Sequence, residues 1–571
     1  MQLTRRPAAR AIALMCLIAG WAMPASAQTP PTQGQAPSIT EAAQALAPQA
    51  QEQAGGPVTK LTVDEAVALG LENNPNLRVE RINPLLQDAN IDQARSAWTP
   101  NLTGLINFQS ADSPPDSLLS GSSDILQSDR FSGSAGVSQL LPWGTQYEVT
   151  WDSSRTETNS FYSNFNPRLG SGLTLAFSQP LLRNFSVDSA RTQLLISRRN
   201  REISDVDLRG TIVATIRDVK AAYWDLAYAV ANLRAQQQSL ELARQTLKDN
   251  RTRVDVGTMA PIDIVEAEAE VARNEEAVIV AESGIKQAED ALRALIFDPV
   301  QNPDFWRTTI EPVYDLAAFK PEPVDAAEAV RNALEKRTDL RSARMQLENT
   351  DLNMKFYRNQ LLPQVNLEGS LFGAGVGGDE LIREPGFPPG PVIGTATKSF
   401  GEVVGDSFGF NYPTWAVGVN VSYPLGTSAA EASLTRAKLQ YQQGLLQIAS
   451  LETQIATQVR DAARQVNTNI KRIAATRAAR VLSERRLEAE QKKFGVGMST
   501  SFLVFQAQRD LSTARNNELQ AMLDYVTSRA NYEALQETSL SGGAIMIGGG
   551  GTVLSTGTGS QLGTAATRAQ Q

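Results

Sequence analysis

The chain repeats itself over long stretches, and this internal duplication limits the folds that it can adopt. The repeated segments follow the same order in both halves, and matched proline and glycine positions make a chance similarity between alanine-rich helices improbable. The matched pairs are 64–77 with 327–340, Pro100 with Pro363, 177–182 with 421–426, and 253–271 with 493–511. Four landmarks in one order indicate a structural unit that is used twice.

Each unit is predicted to begin with one helix of about 35 residues, at 64–98 and 325–361, which ends before Pro100 or Pro363. After the strands comes a long helical region without proline, at about 185–254 and 427–494, rich in Ala, Leu, Gln, Arg and Glu. At 1.5 Å per residue, about 70 residues give a rod of about 100 Å, which no globular domain needs. Glycine turns follow the rods, and a second helix then returns, which predicts two helical hairpins. Apolar residues at heptad-like spacing are interpreted as interhelical packing. Examples are Ile203, Val206, Ile212, Val213, Ile216 and Val219.

Short runs between the helices alternate between apolar and small or polar residues. The clearest run has Trp415, Val417, Val419, Val421 and Tyr423 on one side. This pattern predicts strands with lipid on one face and water on the other. The half-buried sheet of a soluble sandwich shows the same alternation and remains an alternative at this point.

The number of strands is too small for one chain to close a barrel, because small membrane barrels need about eight. Unpaired edges in lipid cost several kcal/mol per amide, so several copies have to pool their strands. The segment 137–151 either lengthens the barrel strands or adds strands to the wall. The runs are 101–109, 131–140, 144–152 and 171–179 in the first unit, and 364–373 and 415–423 around a Gly/Pro-rich insertion, 374–413, in the second.

The N-terminus has the features of a secretory signal. Arg5, Arg6 and Arg10 precede an apolar stretch at 11–22, and Ala25-Ser26-Ala27 is a small-residue cleavage site. The predicted segments are a signal peptide 1–27, a disordered linker 28–57, a first repeat 58–300 (strands 101–179, hairpin 185–297), a linker 301–324, a second repeat 325–538 (strands 364–423, hairpin 427–537) and a flexible tail 539–571.

Composition argues against several classes of function. The chain has no histidine, and its one cysteine, Cys16, lies in the predicted signal, so disulfides, Cys/His metal sites and nucleophile–histidine triads are not expected. The formal net charge of -8 is spread along the chain, and no basic stripe indicates nucleic acid. We therefore expect no catalytic residue, cofactor or metal. No apolar run of 18 residues follows the signal.

The ordered landmarks resemble the TolC-type outer-membrane factor (outer membrane efflux protein) family over about residues 58–538. The residues that carry the resemblance are 61–77, Pro100, QPLLRNF at 179–185, AAYWDLAYA at 221–229, 253–271, ALEKRTDL at 333–340, Pro363 and 493–508. The resemblance implies an α+β membrane protein, a homotrimer whose 12-stranded barrel lies in outer-membrane lipid and continues as an α-helical barrel of coiled-coil hairpins through the periplasm.

It also implies an exit duct of a tripartite efflux or type I secretion system rather than an enzyme. Its partners would be a periplasmic membrane-fusion adaptor and an inner-membrane pump of the RND or ABC type, docked through the helical tips. The competing hypothesis is a periplasm-spanning coiled-coil structural protein or adhesin without a pore. A hydrolase, the third class, lacks a visible constellation of catalytic residues.

The resemblance places the functional residues at the periplasmic tip, where family members hold the entrance shut with polar contacts. Both turn glycines and the partner aspartate are kept, whereas the family's tyrosine, arginine and aspartate positions carry other residues. We expect closure by apolar contacts of Phe494, Leu503 and Phe505; Asp263 and Glu266 also fit solvated positions near a helix start. The candidate tip residues are Gly257, Asp263, Glu266, Phe494, Gly497, Ser499, Leu503, Phe505 and Gln506.

Overall fold

The computed structural model shows the two repeats as copies of one plan. It describes residues 58–114, 125–300, 305–314, 321–386, 390–426 and 428–537. The first repeat consists of β1 (Val58–Leu61), α1 (Val63–Asn73), α2 (Pro75–Arg95), β2 (Asn101–Ser113), β3 (Leu126–Leu140), β4 (Gln146–Thr158), β5 (Phe165–Pro180), α3 (Ser189–Asp255) and α4 (Ile262–Ile296). The predicted signal peptide, the linker 28–57 and the tail 539–571 lie outside the described residues.

The second repeat follows the same order with fewer strands. It consists of β6 (Thr309–Pro312), α5 (Ala326–Lys336), α6 (Thr338–Gln360), β7 (Gln364–Arg383), β8 (Val392–Lys398), α7 (Phe400–Phe408), β9 (Pro413–Ser422), α8 (Ala429–Gly495) and α9 (Ser501–Leu535). The long helices α3 and α8 have 67 residues each, and the returning helices α4 and α9 have 35 each. Equal lengths in both repeats agree with a duplicated unit.

Apolar seams hold the helical hairpins together. All six residues that the sequence placed on the α3 seam are buried, with Val219 at 0% exposed and Ile203 at 7%. Val219 belongs to a core that joins α1, α3 and α4 with the small parallel pair of β1 and β6. In this core the Tyr223 hydroxyl donates to the carbonyl of Val313 at 2.8 Å. The packing interpretation of the seam is therefore confirmed.

The first helix of each repeat is broken, which corrects the expectation of single helices at 64–98 and 325–361. In the first repeat the break falls at Asn74, because Pro75 has no N–H to continue the helix. The Asn74 side chain accepts from the N–H groups of Asn76 and Leu77 at 3.0 and 3.1 Å and so caps α2. In the second repeat the break falls at Arg337.

The cap of α6 comes from a distant part of the chain. One carboxylate oxygen of Glu537 accepts from the N–H and the hydroxyl of Thr338, at 2.6 and 2.7 Å. Glu537 lies two residues beyond α9. The contact therefore ties the end of the second hairpin to the start of the helix that leads into the sheet.

The long strands form one antiparallel sheet in the order β2–β3–β4–β5–β7, with β9 beside the first half of β7 and β8 beside the second half. The hairpin of β3 and β4, which contains 137–151, therefore adds two strands to this sheet. Within the described residues, β2, β8 and β9 each have a partner strand on one side only.

The insertion 374–413 is more regular than the sequence suggested. Strand β7 continues to Arg383, and α7 then covers its face at Gly373, Gly375 and Gly377. A Cβ at Gly375 would collide with the carbonyl oxygen of Val403 in α7, so glycine is required for this close approach. The hydroxyls of Ser171 and Ser407 also lie 2.8 Å apart. Because glycines occupy several positions of β7, the sequence there lacks the alternation of apolar and polar side chains that predicts a strand.

The segment 301–324, interpreted as a linker, contains a strand. Its described part holds β6, which pairs in parallel with β1 from Val58↔Thr309 to Leu61↔Pro312. Two strands from different repeats thus meet at the level of the first helices. None of the described helices is both long and apolar enough to cross a lipid bilayer.

Candidate functional site at the tips of the helical hairpins

The two hairpin tips have the same backbone geometry. At the first tip, the N–H of Gly257 donates to Val254 and that of Thr258 to Arg253, both at 2.9 Å. At the second tip, Gly497 and Met498 repeat this pattern with Phe494 and Lys493, at 3.1 and 2.8 Å. This double hydrogen bond is the Schellman ending of a helix.

The turn requires glycine at its central position. Gly257 has φ of +79° and Gly497 has φ of +77°, in the left-handed region that side chains disfavour. The conformation satisfies the last carbonyl groups of α3 and α8 while the chain reverses. The sequence predicted both turns, and the geometry supplies the reason for both glycines.

Contacts between the tips join the first repeat to the second. Asp263, at the start of α4, accepts from the hydroxyl of Ser501, at the start of α9, over 2.6 Å. The guanidinium of Arg253, at the end of α3, lies 4.5 Å from the centre of the Phe494 ring at the end of α8. These are a charge-assisted hydrogen bond and a cation–π contact.

A second set of contacts fixes the α8–α9 turn. Ser499 donates to Glu490 at 2.8 Å, and Lys493 donates to the other oxygen of the same carboxylate at 2.7 Å. The hydrogen bond from Lys493, followed by that from Ser499, lowers the pKa of the Glu490 carboxyl. Glu490 is therefore ionised at neutral pH and holds Ser499 against its own helix.

The candidate tip residues differ in how far their side chains are exposed to solvent. Phe494 and Gln506 are half-buried, whereas Glu266 and Leu503 are exposed, Leu503 by 40%. Phe505 is only 3% exposed, so it packs within the chain and has no surface to offer to another copy in this conformation. Closure by Phe494, Leu503 and Phe505 stays a prediction, in which Phe505 would act from inside its own chain.

Sequence reasoning missed three residues that act at the tips: Arg253, Glu490 and Ser501. Ser501 and Asp263 are 238 positions apart, and Arg253 and Phe494 belong to different repeats. Only Arg253 had a signal in the sequence, as a basic residue in the last turn of a helix, where cations are favoured.

The fold is that of channel proteins of the bacterial outer membrane. A structure of the Campylobacter jejuni CmeC outer membrane channel aligns with 83% of this chain and 85% of its own, with a TM-score of 0.59 and 16% identity. The outer membrane efflux protein BepC of Brucella suis is 21% identical over 479 residues, 84% of this chain and 85% of that protein. The outer membrane protein TolC of Vibrio cholerae is 23% identical over 62% of this chain and 73% of its own.

The family model described as outer membrane efflux protein matches residues 67–296 and 329–535, which together are more than half of the chain. The chain belongs to this family. It is an efflux channel of the outer membrane with its helical part in the periplasm. The resemblance seen in the sequence is confirmed, and the pore-free structural protein or adhesin is not favoured.

Proposed function

We propose that three copies of the chain assemble into one closed duct, with a shared β-barrel in the outer membrane and a shared helical barrel in the periplasm. The edge strands β2 and β9 carry the proposal. β2 runs away from the helices and β9 runs back towards them, so β9 of one copy can join β2 of the next as another antiparallel pair. Joining three sheets in this way pairs the exposed edges of β2 and β9, which would otherwise be unpaired in lipid.

The exposure of the edge strands supports this assembly. Every residue of β2 and β9 is exposed in the single chain, including Ile106 at 77% and Trp415 at 73%. Apolar side chains exposed to this degree suit contact with lipid. The duct conducts solutes without converting them, and energy comes from the pump.

The tips are the proposed docking site for a periplasmic adaptor, which links the duct to an inner-membrane pump of the RND or ABC type. Their turns project apolar side chains into solvent, with Val256 71%, Val496 73% and Met498 78% exposed. Exposed apolar side chains of this kind mark interaction surfaces when they cluster. The adaptor surface that fits them is apolar as well.

Closure of the periplasmic entrance would depend on the contacts between the hairpin tips. Asp263 with Ser501 and Arg253 with Phe494 hold the two hairpins of one chain side by side, and Phe502 and Leu503 remain exposed for contacts with a neighbouring copy. In a purified channel, Asp263→Ala should raise the conductance severalfold, because the two hairpins lose a charge-assisted bond. Glu276→Ala, which removes an exposed carboxylate further along α4, is the matched control. Equal conductance of the two variants would contradict this gate.

The proposed duct is tested by adding the purified protein to a planar lipid bilayer. Stepwise conductance and a detergent-solubilised particle with the mass of three chains are expected. A water-soluble monomer that gives no conductance would contradict the proposal and would favour the structural protein or adhesin without a pore.

A further inference from the structure

The hairpin of β3 and β4 lies inside the sheet, with a partner strand on each side. Strands β3 and β4 pair without a break from Ser128↔Thr158 to Leu140↔Gln146. On its outer sides the hairpin pairs with β2 over Asn101–Ser113 and with β5 over Arg168–Ser178. It therefore separates two strands that would otherwise be neighbours.

The hairpin continues the two-sided pattern of the sheet. Residues directly opposite one another on neighbouring strands share a face. One such row is apolar on all six strands: Leu102, Val137, Val149, Leu175, Leu371 and Trp415. The adjoining row, on the other face, is small or polar on all six: Asn101, Ser138, Glu148, Ala176, Ser370 and Ala416. A hairpin folded over the wall, away from lipid, would have no reason to keep this register.

The turn between β3 and β4 fits the membrane orientation. It is short, with the N–H of Leu141 donating to Thr145 at 2.7 Å, and it lies at the end of the sheet that joins the helices. Short turns on the periplasmic side are typical of outer-membrane barrels, as are aromatic residues at the interface. Trp143 in this turn is 59% exposed. Next to it, Gln139 donates to the carbonyl of Trp98 at 2.7 Å and ties the turn to the end of the first helical segment.

We infer that each chain contributes six strands to the wall, β2, β3, β4, β5, β7 and β9, so that the trimeric barrel has eighteen strands rather than twelve. The inference rests on the proposed trimer. Six is even, so strand directions still alternate where β9 meets β2 of the next copy.

The added strands widen the exit. With a strand spacing of about 4.8 Å and a tilt of about 40°, eighteen strands give a backbone diameter of about 36 Å and twelve give about 24 Å. The cross-section is then about twice as large.

Single-cysteine variants in liposomes test the position of the hairpin, and predicted cleavage removes the natural cysteine, Cys16, with the signal. Spin labels at Val149→Cys in β4 and Leu175→Cys in β5 should both be accessible to oxygen, the probe for lipid. Labels at Thr150→Cys and Thr174→Cys, which face each other in the register, should both be accessible to a water-soluble nickel complex.

Two outcomes separate this inference from the proposed function. Access of the nickel complex to Val149→Cys, with Leu175→Cys still in lipid, would overturn the eighteen-strand wall and leave the duct intact. A Leu175→Cys label in water would overturn the duct itself. As a second measurement, a variant without residues 126–158 lets β2 pair with β5, and its barrel in projection images should be about one third narrower. An unchanged diameter would also overturn the inference.

Discussion

At the scale of single residues, two glycines decide how the helical hairpins end. Gly257 and Gly497 occupy the same left-handed position in the two repeats, and no heavy atom lies within 4 Å of a Cβ built on either. Space is therefore not the reason for glycine at these turns. The reason for glycine is the backbone conformation, because a residue with a side chain is energetically unfavourable at positive φ.

We expect Gly257→Ala to destabilise the first tip by about 1 kcal/mol, with amide hydrogen exchange at Thr258 about fivefold faster. Gly284→Ala, the matched control, lies inside α4 with open space around the new methyl group. It should stabilise its helix by up to about 1 kcal/mol, because alanine is the better helix former. Slower exchange at the tip of Gly257→Ala would contradict the argument.

At the scale of helices and strands, the two repeats cap the second part of their broken first helix with different residues. Each needs a cap where its first helix restarts, after Asn74 and after Arg337. The first repeat uses the local Asn74 side chain, and the second uses Glu537 from the end of α9. Burial raises the pKa of the Glu537 carboxyl, against the opposing effect of its hydrogen bonds from Thr338.

The Glu537 cap makes the stability of the folded chain depend on pH. Because its pKa is raised in the folded chain, the folded state takes up a proton before the unfolded state does as the pH falls. The contribution of this group to the stability of the folded chain therefore increases as the pH falls from about 7 to about 5. We expect the melting temperature of the native protein minus that of Glu537→Gln to increase as the pH falls over this range. A difference that stays constant or falls with decreasing pH would contradict this assignment.

Long-range periodicity made most elements predictable from the sequence. The hairpins, their glycine turns and the paired strands follow from apolar spacing and from the duplication. The break at Asn74 had a signal in the sequence, since Pro75 disfavours a helical conformation at the residue before it, whereas at Arg337 helical residues continue on both sides. Strand β7 beyond Gly373 was missed because glycines leave no side-chain alternation to detect. The contact of Asp263 with Ser501 joins the two repeats, and spacing along one helix carries no information about such a pair.

At the scale of the whole molecule, the account depends on one sheet that cannot be closed by its own chain. β2 and β9 lie at opposite edges of this sheet, separated by four strands. A covalent link between them can form only between different copies. Thr103 in β2 and Thr414, Ala416, Gly418 and Asn420 in β9 share the polar face, so cysteines at these positions are suited to a search for the register between copies.

The most direct measurement combines Thr103→Cys with a cysteine at each of these four β9 positions in turn, oxidises the membranes and separates the products in denaturing gels. Disulfide formation needs Cα atoms within about 7 Å, so only the correct register should react. At that register we expect one band of three covalently joined chains, abolished by reductant and absent from the Thr103→Cys variant alone. A failure to cross-link at every β9 position, or a link within single chains, would contradict the shared barrel.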